Sequence, residues 1–301
     1  MTYRRIVVAT DFSDASISAA KWASQQFAPD AELILAHAVE VPHRPLFARE
    51  SVPSAETIKQ AMLDFATTRL EDIARFISDV PLRREIRRGR PEEVVNDLVR
   101  EFDADLVVIG PHGDRPHTAK FLGTTADRIV RTSPVSVLVG TQPRHHPPRS
   151  VLVPVDDYGD VPAFLNRVRQ LVGAWGARVT LLHVWSNAVY SYVASMSYAE
   201  AHDEVKASRE IQNTIDRDGR RWLDELASSG FESDRAEVAI EHGKAGDETL
   251  ALAGRIDPDL IVLGRRGSGL VAPAVMGSTV GTVLHGARCP VLIVTTGDYK
   301  G

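Results

Sequence analysis

The chain has one cysteine, Cys289, set in the apolar run CPVLIV. A lone thiol excludes an internal disulfide and fits a reducing, intracellular setting; inside such a run it reads as a small core hydrophobe. No long apolar stretch opens the sequence. MTYRRIVVATD passes from a short hydrophobic run directly to an acid, too brief for the apolar segment of a secretory signal or for a membrane span. The expected location is the cytoplasm, with no membrane partner. An excess of positive charge is also missing. Lys and Arg number 35 against 40 Asp and Glu, a formal charge of −5 at pH 7, which argues against nucleic acid as the main partner. The locally basic RREIRRGR at 83–90 reads as a solvated strand and turn. What is present, 301 residues that are 44% hydrophobic and 25% charged, suffices for two ordinary globular domains.

The chain repeats itself. RRIVVATDFSDAS at 4–16 matches RSVLVPVDDYGDV at 149–161, placing Asp11 on Asp156. ELILAHAV then lies on VTLLHVW with His37 on His183, and RRGRPEEVVNDLVREFDADLVVIG lies on EHGKAGDETLALAGRIDPDLIVLG with Gly89 on Gly243 and Gly110 on Gly264. The main slip in register falls between the second strand and the third, where loops and helix ends absorb insertions. This predicts domains at 1–140 and 150–301 joined by TQPRHHPPR at 141–149, whose three prolines make it a short extended linker. His145 and His146 are adjacent there, with no third metal ligand nearby in sequence.

Each half alternates strand and helix. RIVVAT, ELILAHAV, LVVIG and VSVLV are continuously apolar, the pattern of parallel strands buried on both faces. Helical patterns separate them: DASISAAKWASQQFA, ETIKQAMLDFATTRLEDIARFI and RPEEVVNDLVREF, the last opened by proline and two acids at its start. The order predicts an α/β fold, two tandem doubly wound domains each with a five-stranded parallel sheet.

In such sheets ligands sit beyond the carboxyl ends of the strands. Two strands end there in the same arrangement, GxxGx₉G[ST]: Gly110, Gly113, Gly123 and Thr124 in the first half, Gly264, Gly267, Gly277 and Ser278 in the second. Glycine permits close backbone approach to an anion, and the third glycine with its hydroxyl neighbours, Thr124 and Thr125 or Ser278 and Thr279, opens the next helix. The pattern reads as a phosphate seat. The plainer alternative is that these glycines only punctuate turns. No Walker lysine follows the glycines, and no paired carboxylates or clear general base stand ready for fast phosphoryl transfer.

Taken together, VVATDFSDAS, LAHAV, GRPEEVV, DADLVVIG, the glycine motif and the closing PVLIV strand resemble the universal stress protein family, as a tandem of two such domains. The resemblance covers nearly the whole chain. It implies an adenine nucleotide alpha hydrolase-like fold that binds ATP, a cytoplasmic stress role, and pairing through the last strand of each half, 135–139 with 291–295. A further homodimer and an unidentified protein partner are compatible with it. Carried over residue by residue, it implies that Asp11 or Asp156, with Pro154 beside the latter, holds ribose hydroxyls or a phosphate-bound Mg²⁺. Helix capping is the competing role for Asp11. Ala38 or Val184 would pack on adenine, with Ile109 and Leu263 lining the same pocket, while His37 and His183 are packed strand residues.

The halves depart from the family pattern differently. Asp114 and Pro116 follow Gly113 directly, and an acid there repels a triphosphate. His112, Arg115 and Lys120 offset it in part. The second half has Arg265 and Arg266, a better match for phosphates, but also Asp157 and Tyr158 beside the expected nucleotide. The favoured reading is an ATP-binding regulatory protein with slow or no hydrolysis. An ATP-using enzyme that adenylates or phosphorylates an acceptor is the alternative, with 41–56 and 186–204, including Tyr190, Tyr192 and Tyr198, available to build the acceptor pocket or to serve as packing. A nucleotide-free scaffold is the third reading.

Overall fold

A computed structural model describes residues 3–27, 31–40, 54–77, 80–113, 122–156, 160–185, 204–232, 235–265 and 277–295, with the backbone alone at 55 and 204–212. The first half runs β1 (Arg5–Ala9), α1 (Asp14–Phe27), β2 (Glu32–Val39), α2 (Ala55–Arg75), β3 (Leu82–Arg88), α3 (Pro91–Glu101), β4 (Leu106–Ile109), α4 (Thr124–Thr132) and β5 (Ser136–Val139). The second runs β6 (Ser150–Pro154), α5 (Val161–Trp175), β7 (Arg178–Trp185), α6 (Glu204–Ser228), β8 (Ala236–His242), α7 (Ala245–Ile256), β9 (Leu260–Gly264), α8 (Ser278–Gly286) and β10 (Val291–Val294).

All ten strands form one sheet in the order β3-β2-β1-β4-β5-β10-β9-β6-β7-β8. Every neighbouring pair is parallel except β5 and β10. These run antiparallel, with Val291 opposite Val139, Leu292 opposite Leu138 and Ile293 opposite Val137. The two expected five-stranded sheets therefore meet through their closing strands inside one chain. Each of those strands is buried along its whole length, so their side chains join the core on both faces. Helices lie on both faces. Residues of α1, α2, α5 and α6 contribute to one hydrophobic cluster, and residues of α3, α4, α7 and α8 to the other. Away from the sheet, Trp175 Nε1 donates to the Gln26 carbonyl (3.1 Å), and its ring meets Phe27 edge-on at 5.2 Å.

The edge strands carry the charge. β3 reads LRREIRR and β8 AEVAIEH, and charged edges discourage pairing with another sheet. Arg83 pairs with Glu32, Arg84 with Glu71 at 3.2 Å, and Arg87 with Glu85 and Glu101 at 2.8 and 3.0 Å. The basic 83–90 stretch is thus a solvated strand and turn in which Arg83, Arg84 and Arg87 are engaged with the chain's own acids.

Two aspartates anchor the strand starts at matching places. Asp105 accepts from the Arg4 and Arg5 amides at 3.0–3.1 Å, and Asp259 from the Arg149 and Ser150 amides at 2.8 and 3.0 Å. Asp259 is 4% exposed and also pairs with Arg144 at 2.9 Å. The segment 141–149 is therefore held to the second half at Arg144 and Arg149. His146 approaches Asp259 at 3.9 Å, and no cluster of three metal-ligating side chains occurs among the described residues. Nor is any described helix long and apolar enough to cross a membrane.

Candidate nucleotide site

Beyond β1 the chain turns through Thr10–Ser13. Thr10 Oγ1 accepts from the Phe12 amide (3.0 Å) and shares a hydrogen bond with Ser16 Oγ (2.9 Å). Asp11 Oδ1 accepts from both the amide (3.1 Å) and hydroxyl (2.6 Å) of Ser13, whose Oγ in turn accepts from the Ser16 amide (3.2 Å). Ser13 thus caps α1 and Asp11 braces the cap. The other carboxylate oxygen points elsewhere. A Cβ built on Gly113 would lie 2.6 Å from Asp11 Oδ2, so the first-strand acid and the second motif glycine are in direct apposition. Asp11 combines capping with a position at the mouth of the glycine loop.

Gly110 is required for close approach. A Cβ there would stand 2.9 Å from the Ser16 nitrogen and 3.0 Å from its Cα, because the first turn of α1 rests on the end of β4. The Gly123 amide donates to the Pro111 carbonyl at 2.8 Å, which draws the two ends of the motif together. Gly123 is then the extended N-cap residue of α4 (φ −64°, ψ 151°), and Gly277 plays the same part for α8 (φ −58°, ψ 148°). Ser54 and Asp160 cap α2 and α5 through their side chains, whereas no side chain caps α4 or α8. The first helical amides, those of Thr124 and Thr125 and of Ser278 and Thr279, have no partner within their helices. With the dipole behind them these amides can receive an anion.

The expected adenine walls lie on the same face as these helix starts. Ala38 and Ile109 belong to the cluster that holds Leu122 and Ala126, and Val184 and Leu263 to the part that holds Val280. Pro154 ends β6 opposite Leu182, and Asp156 is exposed just beyond it. A Cβ built on Gly264 would meet only the Phe164 ring, at an ordinary contact distance of 3.5 Å.

His37 and His183 prove to be matched struts. Each Nδ1–H donates to a carbonyl of the loop after the first strand of its half, Thr10 at 2.8 Å and Val155 at 2.9 Å. Burial lowers the His37 pKa, opposed by the Thr10 carbonyl and by Asp11. Their recurrence at one place in both halves was the available signal for this role, as it was for Asp105 and Asp259.

Arg265, expected beside the phosphates, points its side chain elsewhere. Its guanidinium donates to the carbonyls of Arg131 (2.7 Å) and Ser133, at the far end of α4. Burial there lowers its pKa. Gly267, Arg266, Asp114, Arg115, Pro116, Lys120, Asp157, Tyr158, Tyr190, Tyr192 and Tyr198 lie outside the described residues, as do nearly all of 41–56 and 186–204. His112 is described and exposed, its Nδ1 3.3 Å from the Gly113 carbonyl.

The universal stress protein family model matches the chain twice, over residues 2–140 and 148–295. A universal stress protein of Methanocaldococcus jannaschii is 28% identical over 147 residues, 47% of this chain and 84% of the relative. One of Mycobacterium bovis is 24% identical over 204 residues, which take in 66% of each chain. The crystal structure of a universal stress protein from Archaeoglobus fulgidus shares the fold, with a TM-score of 0.65 at 18% identity, covering 98% of this chain and 97% of that one. With both halves matched by the family model and the ten-stranded α/β architecture in place, the chain belongs to the universal stress protein family as a tandem of two Usp domains.

Proposed function

We propose that this protein binds an adenine nucleotide, ATP, at each of its two glycine-opened helix starts and works as a stress-response regulator in the cytoplasm. Nucleotide occupancy sets its conformation or its affinity for a protein partner, and hydrolysis is slow or absent. The two seats belong to the units 1–140 and 150–301. The observation that carries this reading is the repeat of one construction: a buried strand followed by Gly110 or ended by Gly264, and a helix without a side-chain cap opened by Gly123–Thr124–Thr125 or Gly277–Ser278–Thr279. The residues fit the nucleotide as follows. The helix-start amides and hydroxyls receive phosphates, the backbone of Gly110 and Gly113, or of Gly264 and Gly267, would run beside them, and Ala38 with Ile109, or Val184 with Leu263, flank the base. Asp11, and Asp156 beside Pro154, face the ribose. A Mg²⁺ accompanying ATP would be carried by its phosphates with one of these carboxylates alongside.

The test is to purify the full chain without added nucleotide, denature it, and quantify adenine nucleotide released per chain. Gly123→Val and Gly277→Val are run in parallel. Two nucleotides per chain, falling by one in each variant, is the expected result. No nucleotide, followed by no calorimetric binding of added ATP, would sink the proposal and leave a scaffold. ATP turnover at ordinary enzyme rates would overturn the regulatory part alone.

A further inference from the structure

On the face of the sheet opposite the proposed adenine wall, the first half has a cavity that the nucleotide reading does not use. Side chains alternate along β2, so Ala38 faces the helix starts of the proposed nucleotide seat while His37 and Val39 face α2. Between them lies a space of about 560 Å³ lined by Asp11, Phe12, His37, Val39, Met62 and Phe65, among others. That volume lies within the range of pockets for small organic ligands.

Its walls are built to take a flat apolar body. The Phe12 ring stacks on His37 at 4.1 Å and meets Phe65 edge-on at 5.8 Å. Phe65 is 60% exposed, one of only two large hydrophobic residues so exposed among those described. Phe12 is held at φ +70°, a conformation an aromatic residue rarely adopts. Two contacts keep it there: its amide bonds Thr10 Oγ1 at 3.0 Å, and its carbonyl accepts from Arg69 Nη2 at 3.5 Å. His37 supplies polarity. Because Nδ1–H is given to the Thr10 carbonyl, the neutral ring keeps Nε2 as an acceptor.

The second half provides an internal control. Trp185 occupies the place of Val39, two residues past the matching histidine. It meets His183 edge-on at 4.6 Å, and Trp222 of α6 closes on the same ring at 5.3 Å. A Cβ on Gly219 would lie 3.0 Å from Trp185 Nε1, so the indole is packed tightly against α6. His183 is accordingly buried, 6% exposed. Where one half fills this space with two indoles, the described residues of the other leave it open and line it with rings.

We propose that the cavity between β2 and α2 is a second ligand site, restricted to the first half, for a neutral, planar and largely apolar molecule with one hydrogen-bond donor directed at His37 Nε2. It is separate from the proposed nucleotide seat, and Asp11 is the one residue named in both.

The test uses N-phenyl-1-naphthylamine, a neutral probe with a single N–H, titrated into the full chain and followed by its fluorescence. Two variants disturb the cavity from exposed positions of α2: Ala61→Trp, which fills the mouth, and Phe65→Ser, which removes a wall; circular dichroism checks that both fold. The proposal expects saturable binding of one probe per chain, weakened about tenfold or more in both variants. Gly123→Val and saturating ATP should leave it unchanged. Absence of binding, or equal binding in wild type and both variants, would overturn the site. One-for-one displacement by ATP would instead merge the cavity with a nucleotide seat and overturn its independence. The nucleotide proposal is read from released nucleotide, so the two fail separately.

Discussion

The Arg265 guanidinium donates to the backbone carbonyls of Arg131 at 2.7 Å and of Ser133. The residue that follows the glycine strand of the second half therefore closes the helix that the glycine motif opens in the first. The contact has no counterpart across the repeat, because Pro111 stands at the matching position of the first half. Arg265→Met leaves those carbonyls, at the negative end of α4, without their cationic partner. A loss of about 1–3 kcal/mol in stability is expected, with Arg265→Lys restoring only part because an ammonium lacks the planar fork. Urea unfolding measures it. An unchanged midpoint in Arg265→Met would mean that the contact contributes nothing.

The two strand-anchoring aspartates should differ in weight. Asp259 is nearly inaccessible, takes two amides and pairs with Arg144, whereas Asp105 takes its amides in a more open setting. Asp259→Ala is expected to cost about 1–3 kcal/mol, since it leaves two amides without their acceptor while Arg144 keeps Asp257, and Asp105→Ala less. Thermal melts of the two variants compare them, and a reversed order would refute this account.

Glycines matched across the repeat should not be equally replaceable. A Cβ on Gly110 meets the Ser16 backbone at 2.9 Å, whereas on Gly264 it meets only the Phe164 ring at 3.5 Å. Gly110→Ala is expected to destabilise by about 1–3 kcal/mol through overpacking, and Gly264→Ala by clearly less. Equal denaturation midpoints would show that α1 shifts away from β4 without cost.

Burial depresses the His37 pKa below its ordinary 6.5. The unfolded chain then holds this proton more tightly than the folded one. The contribution of His37 is complete above pH 6.5, falls as pH drops through 6.5, and levels off below the folded value. His37→Gln should flatten that part of the stability profile between pH 5 and 7, by at most about 1.4 kcal/mol per pH unit. Superimposable profiles for wild type and variant would exclude the effect.

The Cys289 thiol is pushed up to about 12, chiefly by burial. At neutral pH it is neither ionised nor accessible, so labelling by a disulfide reagent should be slow in the native protein and become rapid in denaturant. Prompt stoichiometric labelling of the folded chain would contradict its placement in the core.

Much of the architecture was legible because it rests on local pattern. Continuous apolar runs marked the central strands, and Gly89 and Gly243, matched across the repeat, follow β3 and β8 with φ of +138° and +149°. The glycine spacing located both helix starts, and the closing strands met as expected. The basic stretch at 83–90 became an edge strand, which only the sheet order reveals. Asp11 was offered as either a cap or a nucleotide contact. The fold lets one oxygen brace the cap while the other faces Gly113, an arrangement that depends on how closely β1 and β4 lie side by side.

By itself, the sequence determined the repeat, the alternation of strands and helices, and the placing of glycines and hydroxyls at two strand ends. These are properties of neighbouring residues, governed by side-chain periodicity and backbone freedom. Tertiary structure alone decided where Arg265 points, what Asp259 holds, and why the described residues of one half leave an open space over its histidine while the other half fills it. Those outcomes join groups far apart in the chain, and they depend on which side chains the shared sheet and its two helix layers bring within contact distance.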